Sequence, residues 1–125
     1  MTQDYRILLV DDETEFLQTT GKRLGRRGFQ IRTATTCTAG LMIVESGWPQ
    51  LVVLDVMMPD QDGIECLRHI KILKPRLPVV MLTGHASMQD GIKGMEYGAN
   101  DYCLKPIELD ELVEKLLIAL REAGG

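Results

Sequence analysis

Ile7-Leu8-Leu9-Val10-Asp11-Asp12 sets four apolar side chains in a row and stops them at two acids. Leu51-Val52-Val53-Leu54-Asp55 repeats the arrangement, and Val79-Val80-Met81-Leu82-Thr83 ends a third run on a hydroxyl. A half-buried strand alternates apolar and polar residues; one covered on both faces, as in a parallel sheet, reads as a continuous apolar run. Phe29-Gln30-Ile31-Arg32-Thr33-Ala34 alternates and reads as a strand with one wetter face, and Asp101-Tyr102-Cys103-Leu104 is a short fifth candidate.

Helical patterns lie between these runs. Across 14–27, Phe16, Thr20 and Leu24 recur every four residues as a core stripe. Gly28 then stops the helix, and Arg26 and Arg27 suit the negative end of its dipole. Residues 36–46 carry Ala39, Leu41, Met42 and Ile43 before Gly47 and Pro49, and 64–74 carry Cys66, Leu67, Ile70 and Leu73 before Pro75. Ser87-Met88-Gln89-Asp90 has the form of a capping box with Asp in the Glu position, and Gly98 is a C-cap candidate. Leu109, Leu112, Leu116, Leu117 and Leu120 mark a last helix over 108–122. Five strands alternating with five helices predict an α/β fold, a parallel sheet covered on both faces.

Composition narrows the function classes. The chain has 125 residues, the size of one domain, so 1–125 is read as a single unit. Its formal charge is -4, which argues against the basic surface that nucleic-acid binders carry. No apolar run approaches the roughly 20 residues of a membrane helix. The polar start, Met1-Thr2-Gln3-Asp4-Tyr5-Arg6, followed by a short apolar run, does not resemble a signal peptide, so a cytoplasmic location is expected. Cys37, Cys66 and Cys103 lie far apart with no CxxC and no paired histidine. Neither a zinc site nor a disulfide framework is expected, and all three read as small core hydrophobes.

In an open parallel sheet, function collects at the carboxyl ends of the strands. Asp11, Asp12, Asp55 and Thr83 occupy three of those ends, and Lys105 follows the fifth strand. Acids at such positions often only cap the next helix, a role open to Asp12. Three carboxylates at one edge repel one another, however, and hard oxygen ligands favour Mg²⁺. Neither GxGxxG after the first strand nor GxxxxGK[ST] is present, so the usual nucleotide cradles are missing. His69 reads as a half-exposed helix residue; His85 draws interest only by lying two residues after Thr83.

Four segments carry a resemblance: Val10-Asp11-Asp12-Glu13, Leu54-Asp55-Val56-Met57-Met58-Pro59-Asp60-Gln61-Asp62-Gly63, Leu82-Thr83-Gly84-His85-Ala86 and Gly98-Ala99-Asn100-Asp101-Tyr102-Cys103-Leu104-Lys105-Pro106. In this order and spacing they resemble the response-regulator receiver domain of bacterial two-component signalling, over about 5–121. Within that family Thr83-Gly84-His85-Ala86-Ser87 and Lys105-Pro106-Ile107-Glu108-Leu109-Asp110-Glu111-Leu112 look most like receivers of the nitrogen-regulation type or of hybrid sensor kinases. The resemblance implies a flavodoxin-like (βα)5 domain with a doubly wound five-stranded parallel sheet in the order 2-1-3-4-5.

It also implies roles. Asp55 would be the phosphoacceptor for a phosphohistidine on a sensor histidine kinase or phosphotransfer protein. Asp12, Asp55 and the Met57 carbonyl would hold Mg²⁺, with Asp11 acting through water. Lys105 and Thr83 would contact the phosphoryl group, and a cis Lys105–Pro106 bond would aim the ammonium. Thr83 and Tyr102 would form a switch, although plain strand packing also accounts for Tyr102. The module would modify itself rather than turn over substrate; the alternative is a degenerate receiver serving only as an interaction domain. Glu15, Thr19 and Lys22 share a helix face that suits kinase docking. Lys22, Arg23, Arg26 and Arg27 also fit dipole complementation and solvation. A phosphorylation-dependent homodimer is expected through 87–97, 101–104 and 108–122, with no direct nucleic-acid or membrane contact. An output domain after Gly125 and a receiver that acts alone both remain open, as do the cognate kinase and its stimulus.

Overall fold

A computed structural model describes residues 4–58, 61–84 and 88–124. The elements in chain order are β1 (Arg6–Val10), α1 (Thr14–Arg26), β2 (Gln30–Ala34), α2 (Cys37–Glu45), β3 (Leu51–Leu54), β4 (Met57–Met58), β5 (Gln61–Asp62), α3 (Gly63–Leu73), β6 (Val79–Thr83), α4 (Met88–Glu96), β7 (Asp101–Leu104) and α5 (Leu109–Glu122). The main sheet runs β2-β1-β3-β6-β7, and every neighbouring pair in it is parallel. Setting aside the two-residue antiparallel ladder β4–β5, this is the expected order 2-1-3-4-5.

The pleat explains why the central runs are apolar throughout. On β1, Leu8 and Val10 face one cluster, built with Val44 of α2 and Leu67 and Ile70 of α3. Ile7 and Leu9 face the other, built with Leu17 and Leu24 of α1 and Leu112 and Leu116 of α5. Both sheet faces are therefore dry, as a continuous apolar strand requires. Gly28, Gly47 and Gly98 follow α1, α2 and α4 with φ of 97°, 81° and 104°, left-handed values that favour glycine at helix ends. Among the described residues no helix is long and apolar enough to cross a membrane.

Several expectations need correction. The buried residues of α1 are Leu17 and Leu24, while Phe16 and Thr20 are only half-buried, so the stripe is rotated from the expected one. On α2 the buried positions are Cys37, Gly40 and Val44, and Met42 is 70% exposed. Gly40 is buried because α2 lies close on β1: a Cβ there would stand 3.0 Å from Val10 Cγ2. Asp12 does not begin α1; Glu13 is its N-cap, without a side-chain cap bond, and its N–H donates to Asp11 Oδ1 at 2.9 Å. The expected capping residue Ser87 lies outside the described residues, as does His85, and His69 is exposed.

The cysteines are the main departure. Cys37 and Cys66 form a disulfide with a Cα–Cα distance of 5.9 Å, whereas no bridge was expected. Their 29-residue separation gives no local signal; the contact exists only because α2 and α3 pack side by side. Cys103 is a buried free thiol, and burial, with Asp101 adding to it, pushes its pKa up to about 11.

Candidate functional site

The site is assembled by backbone hydrogen bonds that continue the parallel ladder past the strand ends. Asp11 N–H donates to Ala34 O at 3.0 Å, Asp55 N–H to Val10 O at 2.9 Å, and Lys105 N–H to Thr83 O at 2.8 Å. The three chain segments leave the sheet edge together. Asp11, Asp12 and Asp55 then each offer a carboxylate oxygen, all within 4.8 Å of one another. Asp11 and Asp55 are buried and Asp12 is exposed. Thr83 is wholly buried at the end of β6, and Lys105–Pro106 is cis.

Lys105 is the cation of this cluster. Its ammonium lies 2.5 Å from Asp11 Oδ2, 2.7 Å from Glu13 Oε1 and 3.8 Å from Asp55 Oδ2, and stands 4.1 Å over the Phe16 ring. Burial lowers the ammonium's pKa, but the bonds to Asp11 and Glu13 and the charges of Asp11 and Asp55 outweigh it, so the group is held above its ordinary value. Asp11 is raised above the usual carboxylate range. Burial is the main cause, Asp55 adds repulsion, and together these exceed the pull of Lys105 and the Glu13 N–H.

The sequence reading placed Asp11, Asp12, Asp55, Thr83 and Lys105 at one sheet edge, and the structure brings them together there. Glu13 and Phe16 were missed as members of the site. Glu13 sits directly after the acid pair, but only the fold reveals a lysine 92 residues away as its partner. Tyr102, half-buried on β7, is set apart from the acids and lies against α4, where a Cβ on Gly91 would come within 2.6 Å of its Cδ2. Its neighbour Asp101 accepts from Lys115 at 3.1 Å. Ile92, Met95 and Leu104 are exposed on the surface that includes α4 and β7.

The acid group fits a hard divalent cation. Its donors are carboxylate oxygens, those of Asp11 and Asp55 buried, and their mutual repulsion favours a positive charge among them. The fully buried hydroxyl and the lysine beside it suit an anion that arrives with such a cation.

Comparison with known proteins agrees with this geometry. The family model described as the response regulator receiver domain matches residues 7–117. The uncharacterized transcriptional regulatory protein YkoG of Bacillus subtilis is 36% identical over 118 residues, 94% of this chain and 52% of that protein. The probable transcriptional regulatory protein TcrX of Mycobacterium tuberculosis is 34% identical over 98% of this chain and 52% of its own length. The chain thus spans about half the length of the curated relatives it matches. A CheY-like receiver domain protein from Methanospirillum hungatei superposes with a TM-score of 0.92 at 33% identity, covering 98% of both chains. With the sheet order, the strand-end acids and the family match in agreement, this chain belongs to the response regulator receiver domains of two-component signalling.

Proposed function

We propose that this receiver acts in the cytosol as a phospho-aspartyl switch, charged at Asp55 by a sensor histidine kinase or phosphotransfer protein. The observation that carries the reading is the convergence of Asp11, Asp12, Asp55 and Lys105 around one buried carboxylate edge. Asp55 needs no general base, since a carboxylate is already ionised at neutral pH. Its oxygen would form the new bond to phosphorus while the phosphorus–nitrogen bond of the donor breaks and its electron pair returns to the imidazole. Asp12, Asp55 and the Met57 carbonyl would hold Mg²⁺, and Asp11 would act through a bound water. When bound, the ion supplies positive charge that offsets the phosphoryl oxygens. Lys105 would turn from Glu13 and Asp11 toward a phosphoryl oxygen, and Thr83 would donate its hydroxyl to another. The chain would modify itself rather than turn over a substrate.

A groove of about 550 Å³ runs beside the site, lined by Glu15, Phe16, Thr19, Arg23, Lys105 and Ile107. It supports docking of the donor along α1. Phosphorylation replaces a single negative charge with about -1.5 to -2. The response would pass through Thr83 and Tyr102 to α4, β7 and α5, where a homodimer or a downstream domain would read it.

Incubation with acetyl phosphate and Mg²⁺ should place a single alkali-labile phosphoryl group on the protein, and Asp55→Asn should remove it without unfolding the chain. Stoichiometric labelling of that variant would reject Asp55 as acceptor. A fully folded wild type that takes up no label would favour an interaction-only receiver.

A further inference from the structure

We propose that Cys37 and Cys66 form a reversible thiol–disulfide site that gives this receiver a redox input to its acid cluster. The coupling to phosphorylation rests on the function proposed above; the chemistry of the pair does not. Both cysteines lie on the same side of the sheet, Cys37 on the first turn of α2 and Cys66 on the first turn of α3. Their Cα atoms are 5.9 Å apart, inside the range of about 4.4–6.8 Å that a bridge spans without backbone movement.

The two sulfurs are not equivalent. Cys37 opens a helix, where the positive end of the helix dipole favours a thiolate, and it retains slight exposure. Cys66 sits among apolar neighbours at 2% exposure. A cleft of about 270 Å³, lined by Cys37, Thr38, Leu41, Asp62, Glu65 and Cys66, gives an external thiol an approach. The exchange partner is a low-molecular-weight thiol and its disulfide. Oxidation begins when the Cys37 thiolate attacks that disulfide and expels one thiolate. The Cys66 thiolate then attacks the Cys37 sulfur of the mixed disulfide and expels the second. Each released thiolate takes up a proton lost by a cysteine, so two protein thiols and one external disulfide become one protein disulfide and two external thiols. A reducing compartment holds such a pair open, and the bridge then reports oxidation.

The helices it joins touch the two strand ends that carry the acids. Ala34, shortly before α2, accepts the Asp11 N–H, and Gly40 of α2 stands against Val10. Gly63, which opens α3, fits so closely that a Cβ there would lie 2.2 Å from the Val56 Cα, next to Asp55. Closing the bridge therefore fixes the neighbours of Asp11 to those of Asp55. The oxidised form keeps the carboxylates in their clustered arrangement, and the reduced form lets them move apart.

The test uses the whole chain, equilibrated in glutathione buffers from fully oxidised to fully reduced. Alkylation under denaturing conditions, read by mass, should find one thiol in the oxidised protein, Cys103, and three in the reduced protein. Calorimetric titration with Mg²⁺ alone should show severalfold tighter binding to the oxidised form, and acetyl phosphate should label it severalfold faster. The folded Cys37→Ser variant should show neither difference between the same buffers. Three alkylated thiols under every buffer would overturn the site. A bridge that forms with identical Mg²⁺ affinity in both states would overturn the redox input. Absence of label in both states, with the Mg²⁺ difference intact, would reject the phosphoacceptor role and leave the redox input standing.

Discussion

Replacing Lys105 by methionine should destabilise this domain more than any exposed charge change, and the loss should depend on pH and on divalent cation. The lysine side chain is 11% exposed and its buried acid neighbours, Asp11 and Asp55, are 3% and 4% exposed. At an effective dielectric of about 20, attraction over 2.5 Å and 3.8 Å amounts to about 7 and about 4 kcal/mol. Burial of the ammonium offsets several kcal/mol of this sum, and a partner removed from a buried pair typically costs about 3–5 kcal/mol. The Glu13 contact adds little, because that carboxylate is 62% exposed and an exposed pair is worth about 1 kcal/mol or less. The expected loss in metal-free buffer at pH 8 is therefore about 3–5 kcal/mol. Asp11 already has a raised pKa, so the folded state binds its proton more tightly than the unfolded chain does. The stability this confers is present at acid pH and is lost as pH rises through the folded value. Without Lys105 the Asp11 pKa should rise further, and the variant's deficit should be smaller at pH 5 than at pH 8. Saturating Mg²⁺ should also narrow it, because acids without the Lys105 ammonium should bind the cation more tightly than those of the wild type, and binding to the folded state alone stabilises by mass action. Urea unfolding of both proteins, at both pH values and with or without Mg²⁺, measures all of this. A deficit below about 1 kcal/mol, ordinary for a surface change, or one that Mg²⁺ does not alter, would refute the account of Lys105 as counter-ion to buried acids.

Gly63→Ala should cost about 3 kcal/mol in urea unfolding, at the upper end for overpacking, because the new methyl meets Val56 backbone rather than a movable side chain. Its labelling by acetyl phosphate should slow as well, since Val56 follows Asp55, the proposed acceptor. Gly91→Ala should gain about 1 kcal/mol of helix propensity yet drive the Tyr102 ring off α4, where its Cδ2 and Cε2 would lie 2.6 Å and 2.7 Å from the new carbon. NMR ring shifts of Tyr102 should move toward exposed values, and unchanged shifts would show that the ring does not rest on that helix.

How far the sequence reaches depends on the range of the interaction. Burial on both sides of β1, β3 and β6 is legible because each apolar run reports its own surroundings. The strand-end acids are legible for a related reason: parallel strands bring their carboxyl ends to one edge whatever the connections do. Side-chain facing on helices is less secure. Phe16 and Leu17 are adjacent and both apolar, and periodicity alone does not choose between them. The fold buries Leu17 and leaves Phe16 under the Lys105 ammonium. Gly40 carries no hydrophobic signal, yet it is where α2 approaches Val10, and Met42 turns outward as a result. The Cys37–Cys66 bridge and the Glu13–Lys105 pair are pure products of topology, with nothing local in the chain to mark them.

An acid cluster of this kind is stable only in relation to what neutralises it. Lys105 serves Asp11, Glu13 and Asp55 at once, while burial, with a smaller contribution from Asp55, keeps the Asp11 pKa raised. Three carboxylates crowded at one sheet edge suit the divalent cation proposed above. The shared ammonium also bears on how a switch can act from here. A phosphoryl group on Asp55 would draw Lys105 away from Glu13 and Asp11, because one ammonium cannot hold all of its partners closely. Contacts that differ between two states are what allow a modification to shift a population. One hydrogen bond to a charged group is worth about 1.5–3 kcal/mol, enough to change a ratio roughly ten- to a hundredfold. The same exchange at Thr83 reaches the next strand directly, since Thr83 pairs with Leu104 on β7 and Met81 with Tyr102. Glu13 therefore competes for the cation that the phosphorylated state needs, and its exposed carboxylate lets that competition be lost at little cost.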